Sequence, residues 1–159
     1  MFASGEAVRA FFLLLIANSA PWAAHRVLGG RWATPLDFGW VLPDGKRLFG
    51  SHKTWRGLVA GAVACMAAAE MLGLSWAMGG GFGVVALLGD ALSSAIKRRL
   101  ALAPGAEVPG LDQLPEALLP LIAFAAALNI GAAEIGAVAL GFMILDLSVV
   151  RLRHSQPSR

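Results

Sequence analysis

The chain has 159 residues, of which 57% are hydrophobic and only 14% charged, and it carries a net charge of +3. So apolar a composition excludes an ordinary soluble domain and indicates a single integral-membrane domain over residues 1–159. The basic surplus does not indicate nucleic acid, because the lysines and arginines are interleaved with apolar runs; the lone Cys65 excludes a disulfide framework within the chain.

Residues 8–28 are long enough to cross a hydrocarbon core of about 30 Å. Glu6 beside Arg9 makes a weak signal-peptide start, and further apolar segments follow, so a retained span is expected rather than a cleaved leader. Pro21 lacks an N–H and predicts a kink that opens a polar notch next to Asn18. Residues 29–56 then form a polar loop with turn formers at Pro35, Pro43, Asp44 and Gly45. It is long for a mere connector, and Arg31, Lys46, Arg47, Lys53 and Arg56 suit it to a polyanion. Lys53 and Thr54 do not make a P-loop, since His52 stands where that motif needs glycine. Trp32, Trp40 and Trp55 read as anchors at headgroup level.

The second span, residues 57–74, is rich in alanine and glycine, which favours close helix packing, and Glu70 falls at its outer end. The third, residues 76–96, opens with Gly79, Gly80, Gly81 and Gly83, which permit tight contact or local unwinding. It closes with the stretch that carries chemistry. At helical spacing Asp90, Ser93 or Ser94, Lys97 and Arg98 share one stripe, with the carboxylate roughly 10 Å deeper than the cations. Lys97, Arg98 and Arg99 alone would only mark the end of a span. Asp90 changes that reading, because a carboxylate within an apolar span costs at least about 2.5 kcal/mol and usually faces a cavity or a partner.

Pro109, Gly110 and Asp112 form a tight turn that brings a second carboxylate close in sequence to the same surface. Residues 114–130 and 132–150 supply the fourth and fifth spans, and Asp146 lies about one turn from Arg151 and Arg153, which suggests a local ion pair. The expected fold is therefore all-α, a polytopic bundle of about five transmembrane helices. With loops 29–56 and 97–113 cytoplasmic, the N-terminus lies outside and the C-terminus inside. Twelve of the thirteen basic residues then fall on the inner side, Arg9 excepted. So thin a bundle would gain from pairing as a homodimer.

The segments GDALSSAIKRR and PGLDQLP resemble the CDP-archaeol synthase family and, more distantly, the bacterial CDP-diacylglycerol synthases, or phosphatidate cytidylyltransferases. ANSAP at 17–21, PLDFGWVLPDGKRLFG at 35–50 and HKTWRG at 52–57 extend the resemblance over most of the chain. It implies a multi-pass enzyme of the cytoplasmic membrane that transfers CMP from CTP to a phosphatidate-type lipid, archaetidic or phosphatidic acid, and releases pyrophosphate. The resemblance implies Mg2+, with a second cation left open, on Asp90 and Asp112, and Lys97 as their catalytic companion. Asn18, Asp37, Lys53, Arg56, Ser93, Ser94, Arg98 and Gly110 are expected to bind CTP or the lipid phosphate. One departure stands out: Pro115 occupies the place of the family's second Asp, with Glu116 one residue later. Two further readings stay open. One is a silent family member that binds nucleotide or lipid; the other is a small transporter subunit with Asp90 and Asp146 as pathway residues.

Overall fold

The computed structural model describes residues 4–103 and 106–154, with side chains through Arg151, and among these residues the regular secondary structure is helical apart from two isolated bridges, Pro35↔Thr54 and Val41↔Arg47. Ser4 starts α1 (Gly5–Leu28): its hydroxyl accepts the Ala7 N–H at 3.2 Å, satisfying a donor that a helix start leaves free. The same hydroxyl donates to Glu134, which ties this end of α1 to the first turn of the last helix. α1 runs unbroken through Pro21. Thr54 starts α2 (Trp55–Met71) in the same manner, accepting the Gly57 N–H at 3.1 Å.

Next comes α3 (Trp76–Arg99), the hub of the bundle, which packs against α2, α4 and α1. It extends three residues past the predicted end of the third span, so Lys97, Arg98 and Arg99 are helical and their charges face the C-terminal pole of the helix dipole, which favours cations. The predicted fourth span is divided into α4 (Gln113–Ala123) and α5 (Ala125–Leu128). α4 runs through Pro120 and ends at Phe124, whose backbone leaves the helical region at φ −108°. Asn129, left-handed at φ 51°, then turns the chain into α6 (Ala132–His154), which lies against α1 and α4. By length and apolarity α1, α3 and residues 132–151 of α6 can each cross a membrane. α2 and the divided α4 and α5 lie in the segments expected as the second and fourth spans and are shorter than these three.

The glycines of α3 serve contact, not unwinding. A Cβ built on Gly79 would lie 2.3 Å from Ala69 Cβ and 2.4 Å from the Cys65 carbonyl oxygen. The two backbones therefore touch where only glycine fits. Gly79→Ala is expected to lower stability by about 3 kcal/mol or more, the upper end for overpacking, because a backbone carbonyl cannot yield as a side chain does. Thermal unfolding in detergent reads this; an unchanged midpoint would show that the helices do not approach so closely.

Candidate active site

Three elements converge on the end of α3. The polar loop after α1 folds back on itself: Leu36 N–H donates to the Lys53 carbonyl at 2.8 Å and Trp55 N–H to that of Thr34 at 3.0 Å. Lys53, at the end of this loop, pairs with Asp90 of α3. Two turns nearer the helix end, Lys97 Nζ lies 2.6 Å from Asp112 Oδ1 and donates to the Ala106 carbonyl at 3.0 Å. Asp112 is the N-cap of α4, and its Oδ2 accepts the Val108 N–H at 3.0 Å. Its Oδ1 is buried and accepts no hydrogen bond of good geometry despite the nearby ammonium, so an oxygen with unspent acceptor capacity is held at the site.

Both pairs line one cleft of about 900 Å³, which also contains Asn18 and Glu116. Glu116 lies at its floor, 5% exposed, and both its oxygens receive the Asn18 amide, at 3.0 and 3.2 Å. Asp146 reaches the cleft from α6. It accepts from Gln113 Nε2 at 2.8 Å and makes no ion pair with Arg151 among the described residues; the Arg153 side chain lies outside them. The local pairing expected for Asp146 thus gives way to a link between α4 and α6. Five carboxylates and three cations line this cleft among the described residues.

A second cavity, of about 340 Å³, has the opposite balance: Arg47, Lys53, Lys97 and Arg98 line it, with His52 and Ser94 and without an acid. Lys53 and Lys97 belong to both walls. The arrangement therefore sets a cation-attracting cleft against an anion-attracting one, with two lysines at the boundary. A third opening, of about 390 Å³, is an apolar groove between α1 and α6; it meets the cleft at Asn18 and Asp146.

Of the residues singled out from sequence, Asn18, Lys53, Asp90, Lys97 and Asp112 share the cleft, while Ser94 and Arg98 face the basic cavity. Others are engaged elsewhere. Ser93 is buried and its hydroxyl donates back to the Asp90 carbonyl at 2.9 Å. Arg56 binds the carbonyls of Gly29 and Arg31 and lies 3.1 Å from His25 Nδ1 at the C-terminal end of α1, and it also lines a further cavity of about 310 Å³ together with Lys53 and Asp90. Gly110 sits at φ 84° and gives its N–H to Gln113 Oε1 at 2.9 Å, which shapes the turn before α4.

Asp37 is the knot of the loop. Arg47 and the N–H groups of Gly39, Phe49 and Gly50 all donate to it. Burial works to raise its pKa; these donors more than offset that and hold it at about 2, against an ordinary 3.8. A depressed carboxylate pKa stabilises the fold above the unfolded value, and that contribution is lost as pH falls through the folded one. The unfolding free energy read from thermal unfolding should thus be lower for Asp37→Asn than for the natural protein at neutral pH, by up to about 2 kcal/mol. The gap should close as pH falls from about 4 toward 2. A gap that stays constant over that range would mean the carboxylate charge does not hold the loop.

Membrane-length helices whose basic ends enclose paired carboxylates and lysines form an intramembrane site with the charges to hold phosphate groups. Comparison with known proteins makes this specific. Residues 7–81 match the family model described as CarS-like, CDP-archaeol synthase. The CDP-archaeol synthase of Methanopyrus kandleri is 42% identical over 69% of this chain and 65% of its own length; that of Hyperthermus butylicus is 36% identical over 97% of this chain and 90% of its own. A solved structure of an intramembrane enzyme for archaeal membrane lipids biosynthesis superposes with a TM-score of 0.76 at 34% identity, covering 90% of this chain and 91% of that one. The chain belongs to the CDP-archaeol synthase family. It is a membrane-embedded, CTP-dependent cytidylyltransferase that forms a CDP-lipid.

Proposed function

We propose that the enzyme transfers CMP from CTP to an archaetidic-type lipid phosphate at the cytoplasmic face of the cell membrane, in a single domain whose five helical segments cross the bilayer from an external N-terminus. The observation that supports this most directly is the division of the site into an acidic cleft and a basic cavity that share Lys53 and Lys97. The basic cavity suits the triphosphate: Arg98 and Arg47 offer planar, bidentate contacts, and the lysines act as point charges. The apolar groove between α1 and α6 suits the lipid chains, with the lipid phosphate drawn in past Asn18 and Asp146.

A divalent cation fits the donors. They are hard carboxylate oxygens, and Asp112 Oδ1 is buried without a hydrogen bond. No group of three ligating side chains is preassembled among the described residues, which suits Mg2+, an ion commonly held by one or two carboxylates together with substrate phosphates. Asp90 and Asp112 would hold it, with Glu116 as a third carboxylate on the same cleft. When bound, the ion neutralises phosphate charge and polarises the phosphorus–oxygen bonds.

The lysines have a double role. Each neutralises an aspartate, Lys53 with Asp90 and Lys97 with Asp112. Polyphosphate in the basic cavity gives both ammonium groups a stronger anion to face, so the carboxylates are released toward the cation. An oxygen of the lipid phosphate then bonds to the α-phosphorus of CTP, the bond to the β-phosphate oxygen breaks, and pyrophosphate leaves. Positioning and charge stabilisation suffice, without a covalent enzyme intermediate.

The test is incubation of purified protein with α-labelled CTP, Mg2+ and either archaetidic or phosphatidic acid. Label in the CDP-lipid with archaetidic acid, abolished by chelation and restored by Mg2+, is the expected result. Exclusive use of phosphatidic acid would overturn the substrate assignment, and CTP binding without pyrophosphate release would overturn the activity.

A further inference from the structure

The loop between α1 and α2 exposes more apolar surface than its chemistry in the site requires. Phe38, Trp40 and Val41 are 74%, 70% and 55% exposed. Phe38 has φ 47° and Gly39 φ 85°, two successive left-handed residues, of which the first is sterically disfavoured for a phenylalanine. The conformation is imposed by Asp37, whose Oδ1 accepts the Gly39 N–H and whose carbonyl accepts that of Trp40 at 2.7 Å. The strained turn directs Phe38 outward, and its ring lies 5.9 Å from that of Trp55.

Trp55 is the first residue of α2. Trp55, Val59 and Val63 recur every four residues and are all exposed, so they form one stripe of the bundle's outer surface. In a membrane protein that stripe faces lipid, and Phe38 continues it beyond the helix end. Tryptophan and other aromatic residues settle at this depth because the ring is apolar and its polar edge finds headgroups. We propose that residues 37–41 form a foot that seats Phe38, Trp40 and Val41 in the headgroup layer of the enzyme's own membrane. The continuity with α2 favours lipid over a second copy of the chain as the occupant.

The foot has a mechanical consequence for the site. Asp37 Oδ2 holds the N–H groups of Phe49 and Gly50, both at 3.1 Å, and Leu36 holds the Lys53 carbonyl. Seating the foot therefore fixes the height at which Lys53 faces Asp90, and ties access to the cleft to the surface from which a lipid arrives. The seating itself depends on no step of the proposed reaction.

The test is nitroxide labelling in proteoliposomes on a Cys65→Ala background, with collision rates measured for oxygen, which partitions into lipid, and for a water-soluble nickel chelate. Val41→Cys carries the label beside an intact Phe38 and Trp40, and Trp40→Cys repeats the measurement at the next position. Val63→Cys and Glu107→Cys are the lipid and water references. If Cys65→Ala fails to fold, the native buried thiol is kept and the unsubstituted protein's signal subtracted. An oxygen-to-nickel ratio several-fold above that at position 107 is expected at position 41. A ratio equal to that at 107 overturns the proposal. So does protection from both reagents with spin–spin broadening, which would place a second copy on the patch. CDP-lipid formation is not the readout, so failure here and failure of the proposed reaction are told apart.

Discussion

Asp90→Asn is expected to reduce CDP-lipid formation by about a thousandfold or more, in the range seen when a preorganised charge-stabilising group is removed, while leaving the protein folded in the membrane. The substitution keeps the shape of the side chain and removes only its charge. Its structural cost is small, because Asp90 and its partner Lys53 each keep about a quarter of their side chain exposed (27% and 23%), and ion pairs with access to water contribute about 1 kcal/mol or less. The expected chemical cost is large, since the neutral amide neither balances Lys53 nor offers a cation the hard anionic oxygen it prefers. A double variant separates the two roles. If the pair only braces the loop against α3, Asp90→Asn combined with Lys53→Met should restore turnover by removing the stranded charge. We expect no restoration, and near-natural activity in the double variant would defeat the assignment of Asp90 to the chemistry.

What could be seen in the sequence was what helical periodicity and local charge impose. The Asp90 to Arg98 stripe follows from spacing alone, and the structure keeps Asp90, Ser94, Lys97 and Arg98 on cavity walls. Ser93 could not be separated from Ser94 by spacing, because the difference is whether a hydroxyl turns back to its own helix carbonyl, as Ser93 does. Asp37 and Arg56 are directed to the substrate by the family resemblance of their segments. The long-range closure of the loop between α1 and α2, which joins Asp37 to Arg47, Phe49 and Gly50 and Arg56 to the end of α1, is not written in local spacing.

Glu116 was legible in part. It lies four residues after Asp112, which places both on one face of a helical turn, and one residue after Pro115, where the family pattern has its second Asp. Asp146 carried the general signal of an intramembrane carboxylate; its partner, Gln113, is 33 residues away and became visible only in three dimensions. Hydropathy joined residues 114–130 into one span because Pro120 and Phe124 are themselves apolar. The break there is a change of backbone geometry at Phe124, φ −108°, which hydropathy does not register.

Gly89→Ala carries the second large effect, and it tests the geometry of the site without touching a polar group. Gly89 is buried where α3 crosses the start of α4. A Cβ there would lie 2.3 Å from the Pro115 carbonyl oxygen, 2.7 Å from its carbon and 2.8 Å from Glu116 Cα. All three are backbone atoms, so no rotamer change relieves the clash and α4 must move away from α3. Asp112 and Glu116 travel with α4, whereas Asp90 and Lys97 stay on α3, and a displacement of about 1 Å between catalytic groups can cost about a hundredfold in rate. We therefore expect Gly89→Ala to lose about that much activity, with a stability loss of about 1–3 kcal/mol from overpacking. The neighbouring Leu88→Ala is the control, since Leu88 is half exposed on the outer face and should leave the rate within a few-fold of natural. Full activity in Gly89→Ala would show that the carboxylates of α4 need not be held against Asp90 at this distance, and would remove the cleft between the two helices as the place where CTP and the lipid phosphate react.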